Sequence, residues 1–333
     1  MKSISLREVF SIKKQPLTPY VIQKLSAVSN RLQHSHPERL KLEGNLAKYI
    51  AGHNGENSLQ YFYRYLPKQE ANIIQNIRIK HMDFFFQIDT LIITSKFLIL
   101  LEIKNYTGDL FFDDKYGQLI RTSSKGREIF EDPIQQVKRQ SFHLTQVLEQ
   151  HKIPKIPIET LVVITNPRTY VDSSETYKNA LKLVIKSPML LSKYEEFNAQ
   201  YKKDVLLMKE RKKIKRLLMK LNEPYNPDIL SYYGIDKSEL ITGVLCSKCN
   251  TQMNRINANW ECAACFHTSK TAHVGALRDY ALIISTDITN KECKDFLHLS
   301  TSMQAYYLLN SLNLPYTGRS RRTRIYHLDS LIT

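Results

Sequence analysis

At 333 residues, with 42% apolar and 24% charged side chains, the chain is long enough for two or three domains, the first with a sizeable core. Its 48 Lys and Arg against 32 Asp and Glu leave a formal net charge of +16. That excess predicts a polyanionic partner, nucleic acid ahead of a membrane surface, because no lipid anchor or basic amphipathic terminus stands out. No run reaches the ~18–20 apolar residues of a membrane span. The opening MKSISLREVFSIKK lacks the apolar core and cleavage site of a secretory signal, so a cytoplasmic location is expected.

In chain order, residues 1–50 predict an N-terminal helical segment. Val21, Leu25, Val28 and Leu32 recur at three- and four-residue spacing, and Leu40, Leu42, Leu46, Tyr49 and Ile50 continue the pattern after Pro37. Gly52 and Gly55 punctuate the chain. Glu56 is expected to open a new helix, ENSLQYFYRYLP, with Leu59, Phe62, Tyr63 and Leu66 on its inner face. In a first turn a carboxylate is favoured by the helix dipole, so spacing alone gives Glu56 a structural role. Asn72–Ile79 and Met82–Phe86 read as short extended segments. They lead into a hairpin of Ile88–Thr94 and Phe97–Ile103 joined at Ser95-Lys96. Its side chains are almost all apolar or β-branched, which predicts a sheet covered on both faces.

Three charges interrupt that hairpin: Asp89, Glu102 and, just beyond it, Lys104. Burying charge is costly unless the groups pair or hold a metal. Asp, twelve intervening residues, then Glu-x-Lys is the spacing expected of a metal-dependent nuclease. Asp89 and Glu102 are the candidate ligands of a hard divalent ion, Mg2+ or Mn2+. Lys104, on the same strand face as Glu102, is expected beside the attacking water. The competing reading is a buried Asp89–Lys104 ion pair, which leaves Glu102 without a partner.

After Tyr106 come Leu110–Phe112 and Gln118–Arg121, read as an antiparallel meander with charged tips. Asp132-Pro133 is a helix start, Asp at the cap and Pro at the first position, with Ile134, Val137, Phe142, Leu144 and Leu148 inward. Leu161–Thr165 reads as a buried strand, completing an α/β core. Residues 170–240 are expected to be helical and basic. Within them Tyr194–Leu221 carries KERKKIKR, whose Lys212, Lys213, Lys215 and Arg216 are candidate nucleic-acid contacts; the plainer reading is a solvated helix face. Asn222–Pro227, NEPYNP, reads as a linker.

Cys246-x-x-Cys249 and Cys262-x-x-Cys265, twelve residues apart, are the spacing of two zinc knuckles. Four thiolates leave no open position, so the zinc is expected to be structural, stapling a segment with little core of its own. His267 and His273 read as surface histidines, and Cys293 as a small buried hydrophobe. Beyond them, Leu277–Ile284 reads as extended or helical, and Thr289 and Ser302 cap two short helices. Then RSRRTRIYHL places Arg319, Arg321, Arg322 and Arg324 before an alternating strand. Two helices and a basic β-segment predict a winged-helix-like DNA reader with its arginines on phosphates; the alternative is a helical cap with a solvated tail.

GHNGE (Gly52–Glu56), the hairpin FFQIDTLII…LILLEIKNYTG, and DPIQQVKRQ followed by LVVITNP resemble the nuclease-related domain family, NERD, over about residues 40–170. That family resembles the PD-(D/E)xK nucleases, with their restriction-endonuclease-like core. The resemblance implies catalytic roles for Glu56, Asp89, Glu102, Lys104 and Gln136. It revises Glu56 to a carboxylate at or behind the metal, and gives Gln136 the task of orienting a phosphate or the water. None of these positions is missing, so an inactivated copy is not expected.

The combined expectation is an α/β chain. Residues 1–50 are the N-terminal helical segment, and 51–170 a restriction-endonuclease-like mixed sheet flanked by helices. Residues 171–240 are a basic helical extension and linker, 241–272 a four-cysteine zinc ribbon and 273–333 the winged-helix-like unit. The function expected is a Mg2+- or Mn2+-dependent deoxyribonuclease bound to DNA, endo or exo left open, with a homodimer allowed and no membrane partner. The alternatives are a non-catalytic nucleic-acid-binding or DNA-processing scaffold and an RNA-directed nuclease.

Overall fold

The computed structural model describes residues 18–67, 71–178 and 180–332; the helical character expected of residues 1–17 lies outside the described residues. Two units are distinguished, one of Ile50–Pro224 and one joining Met1–Tyr49 to Tyr225–Thr333, so the division falls inside the NEPYNP segment.

Helix α1 (Tyr20–Arg31) follows its periodicity: Val21, Leu25 and Val28 are buried, as is Leu32 just past its end. Helix α2 (Arg39–Ser58) departs from expectation. It runs unbroken through Gly52 and Gly55, so Glu56 stands in its last turn and does not open a new helix. A glycine costs roughly 1 kcal/mol in a helix interior, too little to end one alone. Leu42 is buried, but Leu40 is 84% exposed and Tyr49 and Ile50 are exposed too. The short α3 (Gln60–Tyr63) follows, with Leu59, Tyr63 and Leu66 buried around it.

The main sheet of the Ile50–Pro224 unit starts with β1 (Asn72–His81), β2 (Phe84–Ile93) and β3 (Leu98–Lys104). A second sheet takes β4 (Asp109–Asp113), β5 (Gln118–Ser123) and β6 (Gly126–Glu131). Helix α4 (Pro133–Gln150) crosses back to β7 (Ile158–Ile164), then come β8 (Tyr170–Ser173), β9 (Val184–Lys186), α5 (Leu190–Gln200) and α6 (Met208–Leu221). The main sheet has the order β1-β2-β3-β7-β9, antiparallel as far as β3 and parallel beyond it. The second has the order β6-β5-β4-β8.

Strand β3 shows why its sequence is apolar throughout. Leu98 and Leu100 pack with Ile134, Val137 and Leu144 of α4 and Ile214 and Leu218 of α6. The alternate residues Ile99, Leu101 and Ile103 pack with Leu59, Tyr63 and, from α5, Leu190, Tyr194 and Phe197. Both faces are covered, which a parallel or central strand requires.

Two expectations for this unit fail. Phe142 is 59% exposed: two residues from Leu144, it lies about 200° around the helix from the inner stripe. Residues 170–189, read as helical, instead supply β8 and β9, which complete two sheet edges. Tertiary pairing overrides local propensity there. The basic stretch is likewise not one helix from Tyr194, since α5 and α6 are separate. On α6, Arg211, Ile214 and Leu218 point inward, Lys212, Lys213 and Arg216 are exposed and Lys215 is half-buried.

The second unit contains α1, the first part of α2 and α7 (Ile229–Tyr233), then β10 (Met253–Ile256), β11 (Asn259–Cys262) and β12 (Thr268–Ser269) as one small antiparallel sheet. Helix α8 (Ala272–Ile283), β13 (Asp287–Thr289), α9 (Asn290–Leu297), α10 (Ser302–Ser311), β14 (Tyr316–Thr317) and β15 (Ile325–His327) complete it, with sheet order β13-β15-β14. Helix, strand, two helices and a hairpin is a winged-helix-like order. It has three helices where two were expected, because α8 is helical from Ala272 onward. Thr289 caps α9 as expected, whereas Thr301, not Ser302, caps α10.

The ribbon and the helical part share one core. Met253 and Trp260 pack with Leu277, Tyr280, Leu297 and Leu309. Arg31 pins α1 to this body: its guanidinium, fully buried, donates to Asp279 at 2.8 Å and to the carbonyls of Ile241 and Gly243 at 2.9 and 3.1 Å, and lies over the Phe296 ring.

Candidate active site and metal centre

The candidate site forms where β2 and β3 part. Their ladder runs from Ile93 opposite Leu98 to Thr90 opposite Leu101 and stops. The next inward N–H, that of Ile103, donates to Asp89 Oδ2 at 2.8 Å, so a carboxylate takes the place of a ladder carbonyl. On the other side of β2 the pairing with β1 is irregular at the same level. Gln75 faces Thr90 and Ile77 faces Ile88, and between them Asn76, at φ 53°, stands opposite Asp89. The apolar alternation changes parity across this pair: Ile77, Phe86 and Ile88 on one side of it and Ile74, Leu91 and Ile93 on the other all enter one core. Asn tolerates the left-handed conformation better than most residues, and the irregularity takes Asp89 out of the regular pleat. The Asn76 side chain is hydrogen-bonded to Glu56.

Glu56 arrives from the end of α2. A Cβ on its neighbour Gly55 would stand 2.6 Å from Cβ of Asn105, so only glycine lets the helix pass this close to the strand that carries Glu102 and Lys104. Asn105 also ties the two together, donating to the Ala51 carbonyl at 2.8 Å.

On the α4 side, Glu102 is only 2% exposed. Its Oε1 is 2.6 Å from Lys104 Nζ, and its Oε2 accepts from Gln140 Nε2 at 2.7 Å. Lys104 Nζ also donates to Gln136 Oε1 at 3.1 Å. The lysine is thus paired with Glu102, which sets aside the competing reading of an Asp89–Lys104 pair. The helix that brings both glutamines is anchored at its start: Asp132 accepts from Ile134 N at 2.8 Å and from the Tyr177 hydroxyl.

These groups repel one another. Burial, and then the charge of Glu102, raise the Glu56 carboxyl above its ordinary range despite the bond from Asn76. Burial, with Glu102 and Glu56, pushes Asp89 well above it. Burial alone would lower the Lys104 ammonium, but Glu102 more than offsets that and keeps it charged. Three carboxylates share one ammonium. Glu56 Oε2 and Gln140 Oε1 are also buried with no hydrogen-bond partner. An excess of oxygen donors and negative charge fits a hard divalent cation.

The structure brings Glu102, Lys104 and Gln136 into direct contact; Asp89 is hydrogen-bonded to Ile103 N, next to Glu102, and Glu56 to Asn76, opposite Asp89. Sequence reasoning missed Gln140 and Asn76. Gln140 follows Gln136 by one turn, the i,i+4 spacing that puts two side chains on one helix face, and that spacing was the available signal. Nothing in the sequence marks Asn76.

In the other unit the Sγ atoms of Cys246, Cys249, Cys262 and Cys265 all lie within 4.8 Å of one another. The two CxxC turns are built alike. Asn250 N donates to Cys246 O and Phe266 N to Cys262 O, each at 2.9 Å, and Asn250 and Phe266 both have left-handed φ, 59° and 58°. Four thiolates so disposed can hold one metal ion such as zinc. His273 is not a surface residue: it is 4% exposed, accepts from Trp260 Nε1 at 3.2 Å, and burial pushes its pKa down to about 4.

Around α10, Arg321 lies over Tyr306 at 4.7 Å and Arg324 over Tyr316 at 4.1 Å, while Arg319 and Arg322 are exposed between β14 and β15. The α6 basic residues belong to the other unit.

Among the described residues no helix is long and apolar enough to cross a membrane. No curated protein and no solved structure matches the chain. Residues 51–165 match the family model described as the nuclease-related domain, a span that includes Glu56, Asp89, Glu102, Lys104, Gln136 and Gln140. Over this segment, about a third of the chain, the sequence is similar to the nuclease-related domain family, NERD.

Proposed function

We propose that the chain is a Mg2+- or Mn2+-dependent deoxyribonuclease of the PD-(D/E)xK type. The Ile50–Pro224 unit would cut, and the unit holding the four-cysteine ribbon and the arginines Arg319, Arg321, Arg322 and Arg324 would bind DNA. The observation that carries this reading is the Glu102–Lys104–Gln136 contact at the parting of β2 and β3, with the carboxyls of Asp89 and Glu56 raised in pKa by burial and by the charge of Glu102.

Asp89 and Glu102, with Glu56 beside them, are the residues to hold the divalent ion. When bound, that ion supplies positive charge for the scissile phosphate and lowers the pKa of a water. Lys104 brings a fixed ammonium to stabilise the charge that develops on the phosphate oxygens. Gln136 accepts from Lys104, which leaves its amide N–H groups for a phosphate oxygen or the attacking water. Gln140 fixes the Glu102 carboxylate. The thiolates of Cys246, Cys249, Cys262 and Cys265 would hold a structural zinc. The arginines beside α10, with Lys212, Lys213, Lys215 and Arg216 on α6, would contact phosphates.

Plasmid DNA incubated with the full chain and Mg2+ or Mn2+ tests this. Cleavage is expected, and Lys104→Ala should lose it by a factor of about 100 or more while retaining DNA binding. Salt-dependent binding with no cleavage under either metal defeats the enzyme reading in favour of a non-catalytic scaffold. Preferential cleavage of RNA would move the assignment to a ribonuclease.

A further inference from the structure

The tip of the β1–β2 hairpin and the adjoining turn of α4 carry aromatic surface that no hydrophobic core accounts for. Phe84 is 48% exposed and Phe142 59%. Both rings are set against His143, with centroids 5.1 and 5.4 Å away and interplanar angles of 72° in each case. His143 is held from behind by Phe86 at 5.5 Å and by His81, whose Nδ1 is 3.1 Å from its own Nδ1. The cluster is therefore braced, and two of its rings still face outward.

Its surroundings are basic. Lys138 precedes Phe142 by one turn and Arg139 precedes His143 by one turn; both are exposed. Asp83 in the turn and Glu131, paired with Arg139, are the nearby carboxylates. Burial first, then His81 and Arg139, lower the pKa of His143. The position is as informative as the composition. His143 lies one helical turn beyond Gln140, which holds Glu102, and about 10 Å along α4 from Gln136, which holds Lys104. Along β2, Phe84 lies five residues, about 17 Å, from Asp89, a few nucleotides of extended strand from the candidate site.

Exposed rings braced against movement, with cations interleaved, are what unpaired bases need, because every base offers a stacking face and a phosphate travels with it. A duplex hides those faces. Resting on the nuclease reading for its relation to the cut, we propose that Phe84 and Phe142 form a stacking platform for unpaired bases a few nucleotides from the scissile phosphate, so that the strand taken by this site is single-stranded DNA.

The test compares the full chain with the Phe84→Ala/Phe142→Ala variant. Fluorescence anisotropy, without added divalent ion, measures binding of labelled dT20, rU20 and a blunt 20-base-pair duplex. Both side chains are exposed, so an unchanged circular dichroism spectrum and melting temperature are expected. The variant should lose about tenfold or more of its affinity for dT20 and less than twofold for the duplex, and Phe84→Trp should restore part of the loss. Photocrosslinking of an oligonucleotide containing 5-iodouracil, mapped by mass spectrometry, should place the crosslink at Phe84 or Phe142. This readout holds even where the second unit dominates affinity. Equal losses for dT20 and duplex, or no loss and no crosslink, overturn the platform. So does a change in sedimentation coefficient with binding unchanged, which would make the patch a contact between copies. The same losses with rU20 bound more tightly than dT20 would overturn DNA as the strand. If dT20 binding behaves as stated and no substrate is cut with Mg2+ or Mn2+, the nuclease reading fails and the platform stands.

Discussion

The carboxylate cluster and the thiolate cluster are two answers to the same problem of gathering negative ligands in one place. Asp89 and Glu102 stand on a five-stranded sheet with apolar cores on both faces, and Glu56 reaches them from the end of α2. The scaffold can force like charges together because its stability comes from elsewhere. The thiolates sit on two turns of a three-stranded sheet whose buried apolar residues are few, chiefly Met253 and Trp260, and those lean on the neighbouring helices. In the first region a metal is something a finished fold can bind. In the second, a metal held by the four thiolates would be part of what makes the fold.

The largest expected effect separates the two. Removing metal with a strong chelator, or replacing Cys249 with Ser, should unfold the ribbon, since structural zinc contributes roughly 10 kcal/mol or more in small domains. Hydrogen exchange read by mass spectrometry should show residues 244–269 losing protection while 72–104 keep theirs. Loss of protection in both segments would mean that the two metal regions are not independent.

Next in size is a buried charge of the opposite kind. Arg31 is as enclosed as Glu102, but its charge is matched by Asp279 and two carbonyls, with only Nη2 left without a partner. Arg31→Met leaves the half-buried Asp279 without its partner, and desolvation already raises that carboxyl. A loss of about 3–5 kcal/mol is expected, the usual result of breaking one side of a buried pair, measurable by urea denaturation. Where a buried charge is matched, removing it destabilises.

How much of this was legible in the sequence follows the range of the forces involved. The hairpin, the Asp132-Pro133 helix start and the Thr289 cap are set by neighbours in the chain, and all three stand where spacing put them. The CxxC turns are equally local. Glu56 was found only through resemblance, because its helix runs on through two glycines, one of which, Gly55, answers to a distant Asn105. Gln140 needs α4 to be laid across β3 before it means anything. Strands β8 and β9 exist because sheet edges elsewhere accept them. The shared core of ribbon and helices could not be read from spacing, since Trp260 and Leu277 carry no mark that they meet.

The smallest effects test the repulsion itself. Asp89→Asn keeps an oxygen for the Ile103 N–H and removes one of three crowded charges. It should abolish cleavage and yet stabilise the metal-free protein by about 0.5–2 kcal/mol, the trade expected where function opposes stability; destabilisation would show that the carboxylates do not repel in the folded state. The pH dependence carries the same information. Asp89 and Glu56 have folded-state pKa values raised above those of the unfolded chain. As pH falls through the raised values the folded state takes up protons before the unfolded state does, so metal-free stability should increase. It should increase by no more than about 1.4 kcal/mol per pH unit for each group. Metal affinity must run the other way, since the ligands have to be deprotonated. Mn2+ binding by calorimetry should therefore weaken on acidification at a pH above the ordinary carboxylate range, while the melting temperature without Mn2+ rises. In Asp89→Asn the rise should shrink, because one of the two titrating groups is gone.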